Sequence, residues 1–196
     1  MGKVYDQIDD RIREWIDQQQ MFFVATAPKS DEGLVNVSPK GLDTFRVLDD
    51  HTVAYLDYGG SGIETVAHVR ENGRIVIMLC AFRGPPVIYR FHGTGEIVTP
   101  NDAGYEALAS QFDLSFVGVR AIIKVNVTRI SDSCGWGVPL YEFEGQREVS
   151  PKYVQQRGGD HIRNYFIENN AESLDGLPGI TAEEAEAYRT PQEAAE

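Results

Sequence analysis

The sequence predicts a small, mostly antiparallel β-barrel with flanking helices, and three observations support this fold class. Six short segments rich in β-branched and aromatic residues follow one another closely along the chain. Few helical stretches separate them, so the long strand–helix alternation of a doubly wound parallel sheet is missing. The chain has 196 residues, of which 42% are apolar, and this is enough for the core of one domain.

The predicted elements follow in chain order. Residues 4–19 are expected to form a helix, because Ile8, Ile12 and Ile16 recur at helical spacing. The six strands are expected at residues 21–27, 34–38, 52–58, 74–82, 87–98 and 120–130, the first two as a hairpin. Further helices are expected at residues 63–71, where Asn72-Gly73 ends the helix, at 102–112, and at 148–169 with an interruption at Gly158-Gly159.

The chain divides into three predicted parts. Residues 1–130 form the barrel with its N-terminal helix, and residues 131–170 form a loop and helical extension that packs on the barrel or on a dimer partner. Residues 171–196 are rich in Ala and Glu and are expected to be a loosely held acidic tail.

The formal net charge of -12 argues against a dedicated nucleic-acid binder and against docking on an anionic membrane. The charge is uneven, however, because residues 58–130 sum to +1 and residues 161–196 to -6. Two cysteines make no disulfide framework, and the N-terminus does not resemble a signal peptide. We therefore expect a soluble cytoplasmic protein whose middle segment can accept a small anion.

Several catalytic motifs are absent from the sequence. It contains no HExxH motif, no Cys/His pair at zinc spacing, no GxSxG elbow and no GxxxxGK[ST] loop. We expect no metal site. If the protein is an enzyme, a cofactor is expected to carry its chemistry.

Residues 36–41 combine a hydroxyl and an ammonium at the end of the second predicted strand. Ser38 and Lys40 are two positions apart, so they lie on the same side of an extended chain. They can converge on one phosphate, with Lys40 as the charge and Ser38 as a donor. The alternative is a solvent-exposed turn with an ordinary surface lysine, which this segment alone favours.

Three glycines precede the predicted helix at residues 63–71, in the order Asp57-Tyr58-Gly59-Gly60-Ser61-Gly62-Ile63-Glu64-Thr65. Glycines let backbone amides approach an anion, and the start of the helix adds a favourable dipole. Ser61 and Thr65 add hydroxyl groups. A strand-to-helix connection in which Ser61 only caps the helix is equally compatible with this pattern.

Residues 131–139 place Trp136 between two glycines in a polar loop. An indole in such a loop can stack on a planar ligand or pack at a subunit interface. Cys134 is expected to be structural, since no cationic residue lies near it in sequence. Arg83 and Arg90 are equally compatible with ligand contacts and with surface charges.

Taken together, these segments resemble the pyridoxamine 5'-phosphate oxidase-like proteins, which are flavin-binding split β-barrels. The resemblance rests on the order helix, FFVATA strand, glycine-containing turn, VNVSPKG strand and YLDYGGSGIETVAHVRENGRIVIMLCAF. It covers residues 8–130, and the later SDSCGWGVP segment resembles a subgroup known only as oxidase-related.

The resemblance implies a six-stranded antiparallel split barrel of the FMN-binding type, which forms a homodimer with FMN in a cleft between the subunits. It implies that the flavin phosphate is held by the two segments described above and that the ring lies near residues 55–58. Trp136 would cover the ring from the partner subunit. The cofactor-binding residues predicted in this way are Asn36, Ser38, Pro39, Lys40, Gly41, Asp57, Tyr58, Gly59, Ser61, Glu64, Thr65 and Trp136.

Two departures from the family pattern argue against vitamin B6 oxidation itself. The oxidase has an Arg-Lys pair early in the helix where this chain has Ile63-Glu64-Thr65, and its arginine-containing C-terminal ending is missing. More of the phosphate binding is therefore left to Lys40, Ser61 and Thr65. We expect an FMN-dependent oxidoreductase of unknown substrate. The alternatives are a non-catalytic flavin-binding or redox-sensing module, and a related barrel that binds heme or deazaflavin.

Overall fold

A computed structural model describes residues 2–113 and 118–188 as an antiparallel split barrel with flanking helices. Its strands are β1 (Val4–Tyr5), β2 (Phe22–Thr26), β3 (Asn36–Lys40), β4 (Phe45–Val47), β5 (Thr52–Tyr58), β6 (Arg74–Cys80), β7 (Ile88–Val98) and β8 (Val119–Ser133). Its helices are α1 (Asp10–Ile16), α2 (Ile63–Asn72), α3 (Tyr105–Ala109), α4 (Val149–Arg157), α5 (Gly159–Asn169) and α6 (Ala182–Glu186).

The sheet has the strand order β3-β2-β6-β7-β8-β5-β4, with β1 paired to β8, and every pair is antiparallel. All six predicted strands are confirmed. The structure adds β1 and β4, which have only two and three residues and are therefore too short to show a period in the sequence. The β2–β3 hairpin places β3 at one edge of the sheet, where Val35 and Val37 are exposed.

The prediction of one helix over residues 4–19 was wrong at its start. Val4 and Tyr5 pair with Ser131 and Ile130 instead, and α1 begins after Asp9, whose carboxylate accepts the backbone N–H of Ile12 at 2.8 Å. Such a cap satisfies an amide that the first helical turn leaves without a partner. The helix expected at residues 102–112 is shorter at both ends. There the Asp102 carboxylate accepts the Thr99 amide at 2.7 Å in a turn before α3.

One main hydrophobic core fills the barrel and reaches beyond it. Its largest fully buried side chains include Tyr55, Ile77, Phe91 and Ile123 from the strands. Ile12 and Ile16 of α1 join the same cluster with Ile8, which lies just before the helix, and so do Phe166 and Tyr188 near the end of the described chain. The barrel and the C-terminal segment therefore share buried apolar surface, which is the main source of folding free energy.

The C-terminal segment does not form the loose tail expected for residues 171–188. Ile180, Ala185 and Tyr188 are buried, and α6 begins with a capping box between Thr181 and Glu184. We call residues 159–188 the C-terminal strap. The predicted interruption at Gly158 is confirmed, since α4 ends there and α5 follows at once. The rest of the predicted tail, residues 189–196, lies outside the described residues, and the division into three parts stays a prediction.

No described helix combines the length and the apolar character needed to cross a bilayer.

Candidate functional site

Three charged residues from different strands meet where β5 leads into α2. Asp57 is the last but one residue of β5, and its fully buried carboxylate accepts from Lys40 Nζ at 3.1 Å and from Arg120 Nε at 3.0 Å. Arg120 Nη2 also donates to Asp57. We call Lys40, Asp57 and Arg120 the Asp57 cluster. Its two cations and one carboxylate give a net charge of +1. The Arg120 side chain is fully buried, and that of Lys40 is 15% exposed.

Gly62 is required by the close packing of this cluster. A Cβ at this position would lie 2.8 Å from Asp57 Oδ1 and 2.9 Å from both Arg120 Nη2 and Lys40 Nζ. Only glycine therefore allows the start of α2 to pack this closely against the charged groups. This gives a physical reason for the last glycine of the segment, which the sequence pattern attributed to the approach of an anion.

A second set of polar residues from the prediction lies beside the cluster. Asn36 donates to Thr65 Oγ1 at 2.9 Å and to Thr26 Oγ1 at 3.2 Å, and Ser38 donates to Asn36 Oδ1 at 3.1 Å. Thr26 is in turn 3.0 Å from the buried ring nitrogen Nδ1 of His68. These hydroxyls and the amide satisfy one another, so they form a structural network between β2, β3 and α2.

The ring of Tyr55 packs against the cluster from inside the barrel. Lys40 Nζ lies 5.8 Å from its centroid, which is within the range of a cation–π contact. Burial raises the pKa of the Tyr55 hydroxyl well above its ordinary value, and the carboxylate of Asp57 raises it further. Tyr55 is therefore a neutral hydroxyl at physiological pH.

The structure brings together only part of the predicted cofactor site. Lys40 and Asp57 meet, and Asn36, Ser38 and Thr65 meet next to them. Ser61 is exposed, whereas the carboxylate of Glu64 accepts the Leu174 amide at 2.9 Å. Pro39 pairs with Phe23 in the β2–β3 hairpin, Tyr58 packs against a second apolar cluster, and Gly59 lies under the ring of Phe166. Trp136 is 83% exposed in the loop after β8 and meets none of these residues.

A cavity of about 800 Å³ opens beside the end of β3, within reach of Lys40. Its walls include four aromatic rings from residues Phe82, Tyr141, Phe143 and Tyr153. Three cationic side chains, of Lys40, Arg83 and Arg147, line it together with the carboxylate of Glu142. Pro39 and Gly41 of the predicted site also line it. We call this space the aromatic cavity, and its size falls within the range of small-molecule sites.

The predicted phosphate site at the start of α2 and the aromatic cavity differ in how well they fit FMN. At the start of α2, the N–H of Gly60 and the guanidinium of Arg120 already bind the chain's own acceptors, and Asp57 and Glu64 would repel an anion. With the strap in place, a flavin phosphate does not fit there. The aromatic cavity fits better, because it offers rings for a planar heterocycle and cations for an anion, among them the exposed guanidinium of Arg83, which makes only a long 3.9 Å contact with the exposed carboxylate of Glu142.

Sequence reasoning missed three important residues. From the sequence, Arg120 was recognised only as the first residue of the last predicted strand. A cation among the apolar residues of β8 nevertheless indicates a buried partner. Asn170 gave no signal, since its partner Gly60 is 110 residues away. Arg147 lies in an irregular segment without a motif. Of the two arginines that were considered, Arg83 lines the aromatic cavity, whereas Arg90 donates to Ser133 at 2.9 Å.

Comparisons with known proteins give a consistent result. The sequence model of the pyridoxamine 5'-phosphate oxidase family matches residues 8–134. The chain is 38% identical over 194 residues to the pyridoxamine 5'-phosphate oxidase family protein ustO of Aspergillus flavus. The match covers 90% of this chain and 77% of that relative. It is similar to the crystal structure of HupZ from Group A Streptococcus, with 31% identity and a TM-score of 0.52 over 63% of this chain and 91% of that one.

Proposed function

Because the chain belongs to the pyridoxamine 5'-phosphate oxidase family, we propose that it is a flavin-binding protein that holds FMN and acts as an oxidoreductase. The observation that carries this proposal is the aromatic cavity, which combines rings and cations beside Lys40. When bound, FMN would supply redox chemistry by accepting a hydride from a reduced donor and passing electrons to oxygen or another acceptor. The substrate stays open.

The proposed roles of the residues follow from the chemistry of the cavity walls. Tyr141 and Phe143 provide aromatic rings on which a planar heterocycle can stack, and such stacking is favourable beyond the area that it buries. Arg83 and Arg147 provide guanidinium groups that can bind a phosphate through two hydrogen bonds. Lys40 belongs both to the cavity and to the Asp57 cluster, so its charge can face the ligand while Asp57 holds it in place.

We further propose that the protein is a homodimer. Large apolar side chains are exposed along the segment that borders the cavity, among them those of Trp136 at 83%, Leu140 at 75% and Tyr141 at 62%. Several exposed large apolar side chains within six positions of one another are typical of an interaction site. Both cysteines are free, which supports a reducing compartment such as the cytoplasm.

The optical spectrum of the purified protein tests the proposal most directly. We expect a yellow protein with the absorption bands of oxidised flavin, or a colourless one that quenches the fluorescence of added FMN with saturation. A preparation without flavin bands that does not bind added FMN would contradict the proposal. Bands of heme or of a deazaflavin would instead identify a related barrel with another cofactor.

A second function, a flavin-binding or redox-sensing module without turnover, is supported by the composition of the cavity. Its titratable lining residues are one carboxylate, two tyrosines and three cations, and the imidazole of His161 contacts the cavity wall only through the hydroxyl of Tyr153 at 3.2 Å. Bound flavin that NADH and NADPH do not reduce would favour this module. Reduction followed by reoxidation on the time scale of turnover would favour the oxidoreductase.

A further inference from the structure

A second cavity, of about 600 Å³, is lined by the end of α1, by β4 and by the turn that joins β3 to β4. Its apolar walls include Phe22, Phe45 and Leu79, and the first two rings pack together with their centroids 5.0 Å apart. We call this space the second cavity, and its size is sufficient for a small molecule. Five residues line both this space and the aromatic cavity, namely Gln19, Gln20, Met21, Gly41 and Gln146.

The carboxamide of Gln146 connects two of the segments that border both cavities. Its Oε1 accepts from the Leu42 amide and its Nε2 donates to the Gln20 carbonyl, both at 3.2 Å. A Cβ at Gly41 would lie 3.1 Å from the same Oε1. An amide oxygen can accept two hydrogen bonds and an amide nitrogen can donate two, so each atom has capacity for one more partner. Gln146 can therefore bind a ligand while it keeps both of these contacts.

The backbone between the two cavities is strained. Leu42 and Asp43 have φ values of 64° and 54°, a left-handed conformation that is uncommon for a residue with a side chain, and most of all for leucine. Leu42 lines the aromatic cavity and Asp43 lines the second cavity. The Asp43 carbonyl accepts from Arg46 at 3.0 Å, which helps to hold the turn. Strain of this kind is concentrated at ligand sites, and here it lies at the border of both spaces.

The charges that line the second cavity are balanced within the chain. Two cations and two carboxylates lie on its walls. Arg13 pairs with Asp50 at 2.9 Å, and Arg46 pairs with Asp43 at 3.1 Å. The remaining carboxylate, that of Asp17, is exposed to water and attracts a cation only weakly. An ionised ligand would therefore lose its hydration in this cavity without gaining a strong counter-charge, which favours an uncharged ligand.

We propose that the second cavity binds the substrate of this protein, and that the substrate is an uncharged alcohol or amide with an apolar body. The body packs against Phe22 and Phe45, and the carboxamides of Gln19 and Gln146 form hydrogen bonds with the polar group. The assignment as substrate rests on the proposed function, since it places FMN in the aromatic cavity and the molecule to be oxidised in the adjoining space. The two cavities thus separate an anionic cofactor from a neutral substrate by charge.

A pair of small ligands of the same shape tests the charge preference. Benzamide is the probe, and benzoate is the matched control, because it has the same ring but carries a negative charge. Binding is followed through the methyl NMR signals of Ile16 and Leu79, which line the second cavity but not the aromatic cavity. We expect saturable shifts with benzamide and about tenfold weaker binding of benzoate. Equal affinities for the two ligands, or no shift with benzamide, would overturn the proposal.

A substitution that fills the cavity tests the location of the ligand. Val47 is half-buried and lines only the second cavity, so Val47→Phe is expected to weaken benzamide binding about tenfold by occupying its space. Val149→Phe introduces the same ring into the wall of the aromatic cavity and is the matched control, which should leave benzamide binding unchanged. Loss of benzamide binding only in Val149→Phe would assign the ligand to the aromatic cavity and overturn the proposal.

Titration of FMN into the same samples separates this proposal from the proposed function. In the ternary complex we expect nuclear Overhauser effects between benzamide and FMN protons, since the two cavities share five residues. FMN binding without benzamide binding, or a ternary complex without these effects, would overturn the substrate assignment alone. Benzamide binding in a protein that does not bind FMN would instead overturn the proposed function, and leave the second cavity as a site for uncharged ligands.

Discussion

The charged groups of Lys40 and Asp57 lie 3.1 Å apart, although the residues are 17 positions apart in sequence and belong to different strands. Lys40, which the sequence predicts to bind an anion, thus already has an anionic partner within the chain. Because Asp57 is fully buried and also binds Arg120, this pair contributes to the fold as well as to any ligand site. Substitutions in the Asp57 cluster are therefore expected to affect both stability and binding.

Replacement of Lys40 is expected to weaken FMN binding. Lys40→Ala removes a charged donor at the cavity wall, and losing one such hydrogen bond costs about 1–3 kcal/mol. The affinity is measured by quenching of FMN fluorescence. Lys124→Ala is the control, since Lys124 forms an exposed pair with Glu96 away from the cavity. Equal FMN affinities of the Lys40→Ala variant and the unsubstituted protein would remove Lys40 from the site.

Asp57→Asn is expected to destabilise the fold strongly. The change leaves Lys40 and Arg120 facing each other in a buried place without their counter-charge, and breaking a buried pair costs about 3–5 kcal/mol. The free energy of unfolding in urea measures the loss. In Asp43→Asn, which breaks an exposed pair with Arg46, we expect a loss of about 1 kcal/mol or less. A similar small loss for Asp57→Asn would mean that the cluster is solvated.

Gly62→Ala tests the close approach of α2 to the cluster. Three charged atoms lie within 3 Å of the position that the new methyl group needs, and overpacking of this kind costs about 1–3 kcal/mol. Gly104→Ala is the control, because no atom lies within 4 Å of a Cβ at that position. In unfolding by urea, the urea concentration at the midpoint should be lower only for Gly62→Ala. Equal midpoints would show that the charged side chains can move away at no cost.

The exposed apolar segment after β8 predicts a dimer in solution. Light scattering is expected to give about twice the 21.9 kDa of one chain. Leu140→Lys places a charge within this apolar surface and is expected to shift the equilibrium to monomers. Leu174→Lys, on an equally exposed leucine of the strap, serves as the control. A mass of one chain for the unsubstituted protein would exclude the dimer.

The pairing of β1 with β8 is expected to depend on pH through Asp132. Its carboxylate accepts from the Tyr5 hydroxyl and the Lys3 amide, both at 2.6 Å. Partial burial acts to raise the pKa of Asp132, but these hydrogen bonds outweigh it and hold the pKa below the ordinary value of 3.8. A carboxyl with a depressed folded-state pKa stabilises the fold above its unfolded-state pKa, and this stability is lost as the pH falls through the folded-state pKa.

We therefore expect the β1 amides to exchange faster as the pH falls below 3.8, after correction for intrinsic exchange rates. Asp132→Asn should flatten the pH dependence of the unfolding free energy in this range, whereas Asp31→Asn, in the exposed turn after β2, should leave it unchanged. An unaltered pH profile in Asp132→Asn would assign the acid sensitivity to other carboxyl groups.

Local patterns in the sequence predict most of the barrel, because runs rich in β-branched and aromatic residues, bounded by turn residues, mark each long strand. They do not predict β1 or β4, which depend on pairing with distant strands and have too few residues for a period. The predicted site is recovered in part. Lys40 and Asp57 do meet, but the sequence alone could not show that they neutralise each other. Nor could it show that Asn170 from the strap covers Gly60, since this contact exists only in the folded chain.

The edge strand β3 also limits how this protein can associate. Val37 in this strand and Val35 just before it are exposed, and exposed apolar residues along an open edge favour addition of further strands. Pro39 has no backbone N–H and therefore removes one donor from the strand, and Lys40 ends it with a charge. These two residues act as gatekeepers against edge-to-edge growth into aggregates. The proposed contact between two copies is therefore expected at the apolar residues after β8 rather than through strand addition along this edge.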